Sequence, residues 1–259
     1  MVYNTWAQKC DNFKFILKFT PNLSVKNNKV YLNGIDIELP AHTILDPGIV
    51  NETYRKLTDK TYLSLIYIDK HYSDYDWYLK ADDDTYVFID NLRKFVSSKN
   101  STEPTTFGFD FSRYVKNGYH SGGAGYIISK EALRRIAHQL RNNYSSCPNR
   151  GVEDVDVASC FRTVQVYPGF SRDFLGRERF HPLPIKNLYY GRFPKWFLKF
   201  SAQVPAKGLK CCSDESISFH YMRPVDQYRI HALVQQFENL PSNCNRKLRF
   251  IDIVHEILG

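Results

Sequence analysis

The passage that most constrains this chain runs from Trp77 to Val87, where Trp77-Tyr78-Leu79-Lys80-Ala81 passes straight into Asp82-Asp83-Asp84. The lead-in reads as a buried strand, and three adjacent carboxylates at its end repel one another. No core strand gains stability from such an ending. A divalent cation makes it tolerable by taking up the charge. Hard carboxylate oxygens suit Mg²⁺ or Mn²⁺, and those ions favour a diphosphate. For an isolated Asp-Asp-Asp the plainer reading is a solvated acidic turn or a weak Ca²⁺ loop. The apolar lead-in and the motifs downstream weigh against it.

At 259 residues with 43% hydrophobic residues, the chain is long enough for a full core in one large α/β domain or two small ones. Its net charge of +8 raises the question of nucleic acid. The basic residues are dispersed and form no nucleic-acid motif, so that class is set aside in favour of a surface suited to an anionic nucleotide. Aromatic residues reach 15%, which fits stacking on sugars and uracil as well as a core. The six cysteines (10, 147, 160, 211, 212 and 244) show no metal-ligand spacing. Sequons at Asn22, Asn51, Asn100 and Asn143, together with plausible disulfides, point to the secretory lumen. No signal peptide or membrane span is visible in the sequence.

Alternation predicts a strand over residues 13–20, and Asn33-Gly34 signals a hairpin within 30–39. Pro40 and Asp46-Pro47-Gly48 mark loops. Helical spacing predicts a helix over about 51–72, with Tyr54 and Leu57 on its apolar face, leading into the acidic strand. A short helix carries Ile89, Leu92, Phe95 and Val96, and a strand covers 107–111. Ser129 caps a helix bearing Leu133, Ile136, Ala137 and Leu140. Further expectations are a helix over 152–162, strands over 164–167 and 216–222, a helix over 228–237 and a helical tail over 246–258. No repeats or low-complexity linkers interrupt the chain.

Three further stretches carry chemistry. Gly122-Gly123-Ala124-Gly125 lacks the Lys-Ser/Thr of a phosphate loop and precedes an apolar run, so it reads as close backbone approach to a flat ligand or as a tight turn. Glu153, Asp154 and Asp156 open a helix, where the helix dipole alone accounts for acids. The functional reading makes Asp154 a general base, with Glu153 and Asp156 as open alternatives. In Ser218-Phe219-His220-Tyr221 an alternating strand places His220 opposite Phe219 and Tyr221. That imidazole suits a Mn²⁺ held by an Asp-x-Asp pair. Cys147 and Cys160 flank the Glu153–Asp154 helix and are placed to tie its ends, while Cys211-Cys212 either close a ring or pair separately.

Together these stretches resemble the β1,3-glycosyltransferases. They do so through Trp77 to Tyr86, Ser121 to Tyr126, Ser129-Lys130-Glu131-Ala132-Leu133, Glu153-Asp154-Val155 and Phe180-His181-Pro182. The Cys211-Cys212-Ser213-Asp214 and Ser218-Phe219-His220-Tyr221 motifs resemble the core 1 galactosyltransferase branch of that family. The resemblance implies an α/β fold of the GT-A, Rossmann-like type with a mixed central sheet over 1–240. Residues 241–259 form a tail, helical and of unknown function. It also implies a Mn²⁺ cofactor, UDP-galactose as donor, α-GalNAc on Ser/Thr of glycoproteins as acceptor, and inverting transfer to the 3-OH. By motif, Lys80, Asp82, Asp83 and Asp84 bind the donor, Asp82, Asp84 and His220 hold the metal, and Asp154 is the base. Gly123, Glu153, Tyr189, Trp196 and Tyr221 are expected at the acceptor. Family members are type II Golgi membrane proteins, usually homodimers. Relative to them this sequence is expected to begin after the first strand, leaving Cys10 without its partner and part of the uridine pocket outside. The alternatives are a fringe-like β1,3-transferase with another donor or acceptor, and a non-catalytic relative acting as a chaperone or sugar-binding protein.

Overall fold

The computed structural model describes residues 1–16, 23–27, 29–32, 35–40, 44–45, 53–241, 244 and 246–259. Two 3₁₀ turns, Val2–Asn4 and Ala7–Lys9, open the chain and seat Trp6 in the core, its indole N–H donating to the Thr85 carbonyl at 3.0 Å. The N-terminal segment thus braces the loop that carries the acids. Strands β1 (Phe15–Ile16) and β5 (Ile44–Leu45) pair in parallel. Between them, β2 (Leu23–Lys26), β3 (Lys29–Leu32) and β4 (Ile35–Pro40) form an antiparallel sheet. The predicted Asn33-Gly34 turn, the Asp46-Pro47-Gly48 loop, residues 17–20 of the first predicted strand and the sequon asparagines Asn22 and Asn51 lie outside the described residues.

The site is built on a four-stranded mixed sheet. Its order is β12 (Tyr167–Pro168), β8 (Thr105–Gly108), β11 (Tyr126–Ser129), β6 (Trp77–Lys80), with only the β12–β8 pair parallel. Strand β11 is buried along its whole length, and alternation sends its side chains to two cores. Ile127 joins the larger core. Tyr126 and Ile128 join a smaller one with Tyr62, Leu133, Ile136, Val157 and Phe161. That smaller core is the interface with helices α1 (Leu57–His71), α3 (Lys130–Asn142) and α4 (Glu153–Thr163). Each fully buried Leu or Ile there contributes about 1.5–3 kcal/mol. Ser129 caps α3 as predicted, its Oγ accepting from the Ala132 N–H at 3.1 Å.

A second mixed sheet is ordered β13 (Phe180–His181), β14 (Ser218–Phe219), β7 (Tyr86–Val87). Helix α2 (Ile89–Val96) follows β7 directly. Strand β9 (Asp110–Phe111) pairs with β10 (Tyr119–His120). The strand predicted over 107–111 is therefore two strands, because the chain changes partners at Phe109. The strand predicted over 164–167 is confined to Tyr167–Pro168, since Gln165 takes a left-handed φ of 59° as α4 ends. Helices α5 (Ile185–Tyr190) and α6 (Lys195–Phe200) are both unpredicted, and Phe197 of α6 packs its ring onto Phe109 and Phe111. Helix α7 (Pro224–Glu238) begins four residues before the predicted start, with proline in the first turn, where its missing N–H costs nothing. Helix α8 (Phe250–Leu258) packs on α5 and α7, and its Phe250, Ile253 and Val254 enter the larger core.

Disulfides join Cys147 to Cys160, across the start of α4, and Cys211 to Cys212 in the core. Cys10 and Cys244 are free thiols. Among the described residues no helix is long and apolar enough to cross a membrane.

Candidate active site

Strands β6 and β11 pair with Lys80 opposite Tyr126, so the Asp82–Asp84 tip and the Ser121–Gly125 segment leave the sheet at one end. Strand β14 pairs with β7, and the Met222 N–H then donates to the Asp84 carbonyl at 2.8 Å, delivering His220 to the same place. Asp82, Asp84 and His220 each bring one ligand atom into a group whose members all lie within 4.8 Å of one another. His220 Nε2 is 3.2 Å from Asp84 Oδ1, and the imidazole holds the Asp84 carboxyl below its ordinary range. The His220 side chain is 11% exposed, whereas Asp82 and Asp84 are 40% and 42% exposed. A fixed nitrogen behind two open carboxylates fits Mn²⁺, with room left for substrate oxygens.

A β-carbon at Gly123 would stand 2.1 Å from His220 Cε1, so only glycine admits the imidazole there. Thr85 Oγ1 donates to the Gly123 carbonyl at 2.7 Å and fixes that approach. Gly122 is less confined: a β-carbon there would lie 2.9 Å from Glu153 Oε2, the far end of a side chain. Asp83, by contrast, is exposed and outside the group of three; its carbonyl accepts from Gln227 Nε2 at 3.1 Å.

The acids of α4 separate by their partners. Asp156 is fully buried and holds the helix start, its Oδ2 accepting from the backbone N–H groups of Arg150, Gly151 and Val152 and from Thr58 Oγ1. Glu153 is buried, its Oε1 accepting from Thr61 Oγ1 at 2.8 Å and the Tyr126 hydroxyl at 3.1 Å. Asp154 accepts from backbone N–H groups of Val155 and Gly122. Burial, followed by the neighbouring Glu153 charge, raises its carboxyl to about 6. A carboxyl in that range can exchange a proton near neutral pH.

Lys80 joins the two acidic groups. Its Nζ lies 2.6 Å from Asp82 Oδ1, 3.4 Å from the Gly122 carbonyl and 3.9 Å from Glu153 Oε2. Burial alone would lower its pKa, but the charges of Glu153, Asp82 and Asp154 outweigh that and hold it above its ordinary value.

Three expectations for aromatic residues fare differently. The strand predicted over 216–222 ends at Phe219, and Tyr221 takes a left-handed φ of 55°. The His220 and Tyr221 rings therefore stack, centroids 3.8 Å apart, instead of pointing to opposite faces. Trp196, on α6, sits edge-on to Phe111 at 6.2 Å, and Tyr189, on α5, packs against the larger core. Among the described residues no hydrogen bond or ring contact draws either to Asp82, Asp154 or His220. Tyr54 was not read from the sequence as a site residue. It lies in a 3₁₀ turn ahead of α1, not on the helix face, and is 73% exposed. Desolvation of the part that is covered, and the charges of Asp154, Glu153, Tyr221 and Asp82, raise its phenol. Thr61 and Tyr126, which hold Glu153, were also missed; only the alternation of the run after Gly125 hinted at Tyr126.

The sequence is similar to known galactosyltransferases. Residues 49–117 match the Galactosyltransferase family model. The chain is 39% identical over 238 residues to glycoprotein-N-acetylgalactosamine 3-beta-galactosyltransferase 1 of Xenopus laevis, covering 90% of this chain and 61% of that protein. It is also 34% identical over 138 residues to human chondroitin sulfate synthase 3, covering 48% of this chain and 15% of that protein. The third relative, mouse beta-1,3-glucosyltransferase, is 31% identical over 126 residues, covering 47% and 25%. The resemblance read from the motifs is thereby borne out. The chain spans less than two thirds of the length of each of these relatives.

Proposed function

We propose that this chain is a GT-A glycosyltransferase that moves galactose from UDP-galactose to the 3-OH of α-GalNAc on serine or threonine of glycoproteins, with inversion. The observation that carries this reading is the convergence of Asp82, Asp84 and His220 at the end of the sheet where Lys80 meets Glu153, next to Asp154. Similarity over most of the chain to a galactosyltransferase that acts on N-acetylgalactosamine supports this donor and acceptor.

Asp82, Asp84 and His220 would hold the Mn²⁺, which when bound supplies positive charge against the diphosphate of the donor. Asp154 takes the proton from the acceptor hydroxyl as that oxygen attacks the anomeric carbon and the bond to UDP breaks. Lys80 keeps Asp82 in place and screens it from Glu153 and Asp154, so that one end of the sheet tolerates several carboxylates. Glu153, braced by Thr61 and Tyr126, keeps Asp154 basic enough to accept a proton. Tyr221 and Tyr54 present exposed rings on which a sugar stacks. Golgi lumenal residence, a membrane anchor and homodimerisation belong to the same reading; the two disulfides and the exposed sequon residues Asn100 and Asn143 are consistent with an oxidising lumen. Trials of the folded chain with a panel of UDP-sugars test the proposal. Turnover of UDP-galactose alone supports it, and preference for another UDP-sugar selects a different β1,3-transferase.

A further inference from the structure

The C-terminal helix reaches the candidate metal site through a column of rings. Phe250, the first residue of α8, is 1% exposed, and its ring lies parallel to that of Phe219 with centroids 5.9 Å apart and planes 10° apart. Phe219 also stacks on His181 at 4.3 Å, planes 18° apart. Both partners in that second stack govern His220. Phe219 precedes it in the chain, and the His181 carbonyl accepts from the His220 N–H at 3.0 Å. The column is pinned at both ends. His181 Nε2 pairs with Ser216 Oγ at 3.0 Å, and the Phe250 N–H donates to Asp214 Oδ1 at 3.1 Å. Asp214 in turn pairs with Arg177 at 2.9 Å.

His220 has little slack. Strand β14 ends one residue before it, and Gly123 faces its ring with no β-carbon between. A shift of the Phe219 ring therefore moves the His220 backbone against a wall. We infer that α8 is a positioning element of the candidate metal site, with Phe250 setting through Phe219 and His181 where His220 presents its nitrogen. The inference rests on the proposed function, in that His220 must be a metal ligand. It assigns a role to a helix in which sequence reading finds no chemistry. Groups that orient a metal ligand commonly change metal affinity about 10–100-fold when removed.

Mn²⁺ binding to the full chain, followed by electron paramagnetic resonance of free Mn²⁺, tests it with no turnover required. The variants are Phe250→Leu, which keeps apolar burial but removes the ring, and Ile253→Ala, which loosens α8 without touching the column. Phe250→Met replaces the Leu variant if that one does not fold. His220→Ala is the control for the metal site. The expected result is a Kd raised about tenfold by Phe250→Leu in protein that circular dichroism shows to be folded. Ile253→Ala should lower the melting temperature and leave Kd within about twofold. If His220→Ala weakens binding and Phe250→Leu does not, or if both α8 variants weaken it equally, the positioning role is overturned and the metal reading stands. If the wild-type chain binds no Mn²⁺, the metal reading falls and the inference with it.

Discussion

Gly123 and His220 occupy one another's space: a single added β-carbon on the glycine would stand 2.1 Å from the imidazole Cε1. The glycine-rich stretch and the histidine that follows β14, about a hundred residues apart in sequence, are thus two halves of one fitted surface. Gly123→Ala is expected to push His220 off Asp84 and to weaken Mn²⁺ binding by at least about tenfold. Calorimetric titration of the variant with Mn²⁺ checks this. An unchanged affinity would show that His220 stands outside the metal's coordination.

Asp154→Asn removes the proposed base and little else, because the backbone N–H groups of Val155 and Gly122 that donate to it are also accepted by an amide oxygen. The expected loss in kcat is about 10²–10⁴-fold, with Mn²⁺-dependent UDP binding retained. Steady-state kinetics beside UDP titration separates the two quantities.

The pH profile follows from the same residue. Asp154 must be ionised to accept a proton, and burial together with the Glu153 charge places its carboxyl at about 6. Transfer should hold above that value and fall about tenfold per pH unit below it. Glu153→Gln takes away one of the two causes, so the acid limb should move to lower pH. A limb that stays in place in this variant would mean that another group sets the profile.

The disulfide between Cys147 and Cys160 ties the loop ahead of α4 to the helix that carries Asp154. Replacing both cysteines with alanine should cost about 2–5 kcal/mol of stability. Urea unfolding monitored by circular dichroism reads this, and a loss in activity smaller than the loss in stability is expected where the variant remains folded.

Much of the site was legible because it is local in sequence. An apolar run ending in Asp82-Asp83-Asp84 announces charge that needs a partner, and the Ser129 cap follows from a serine ahead of a periodic apolar stripe. Spacing alone left Asp154, Glu153 and Asp156 open, and the family resemblance singled out Asp154. All three suit a helix start, and only the fold shows Asp156 consumed by three backbone N–H groups and Glu153 held by Thr61 and Tyr126. Strands as short as β13 and β14 span two residues each and leave no periodicity to read. Tyr54 was misread for a related reason: one residue at helical spacing cannot distinguish a helix from the 3₁₀ turn that precedes it. The stack of Phe250 on Phe219 joins positions 31 residues apart with no motif between them, and only tertiary packing brings it about.

The central claim is tested most directly by incubating the folded chain with UDP-galactose and a GalNAc-α-threonine peptide, with Mn²⁺ or with EDTA, and determining the linkage of any product. The account expects a β1,3-linked galactosyl product that depends on Mn²⁺ and is lost in Asp154→Asn. Product formed equally in EDTA, or no product from protein that binds both Mn²⁺ and UDP, would contradict it.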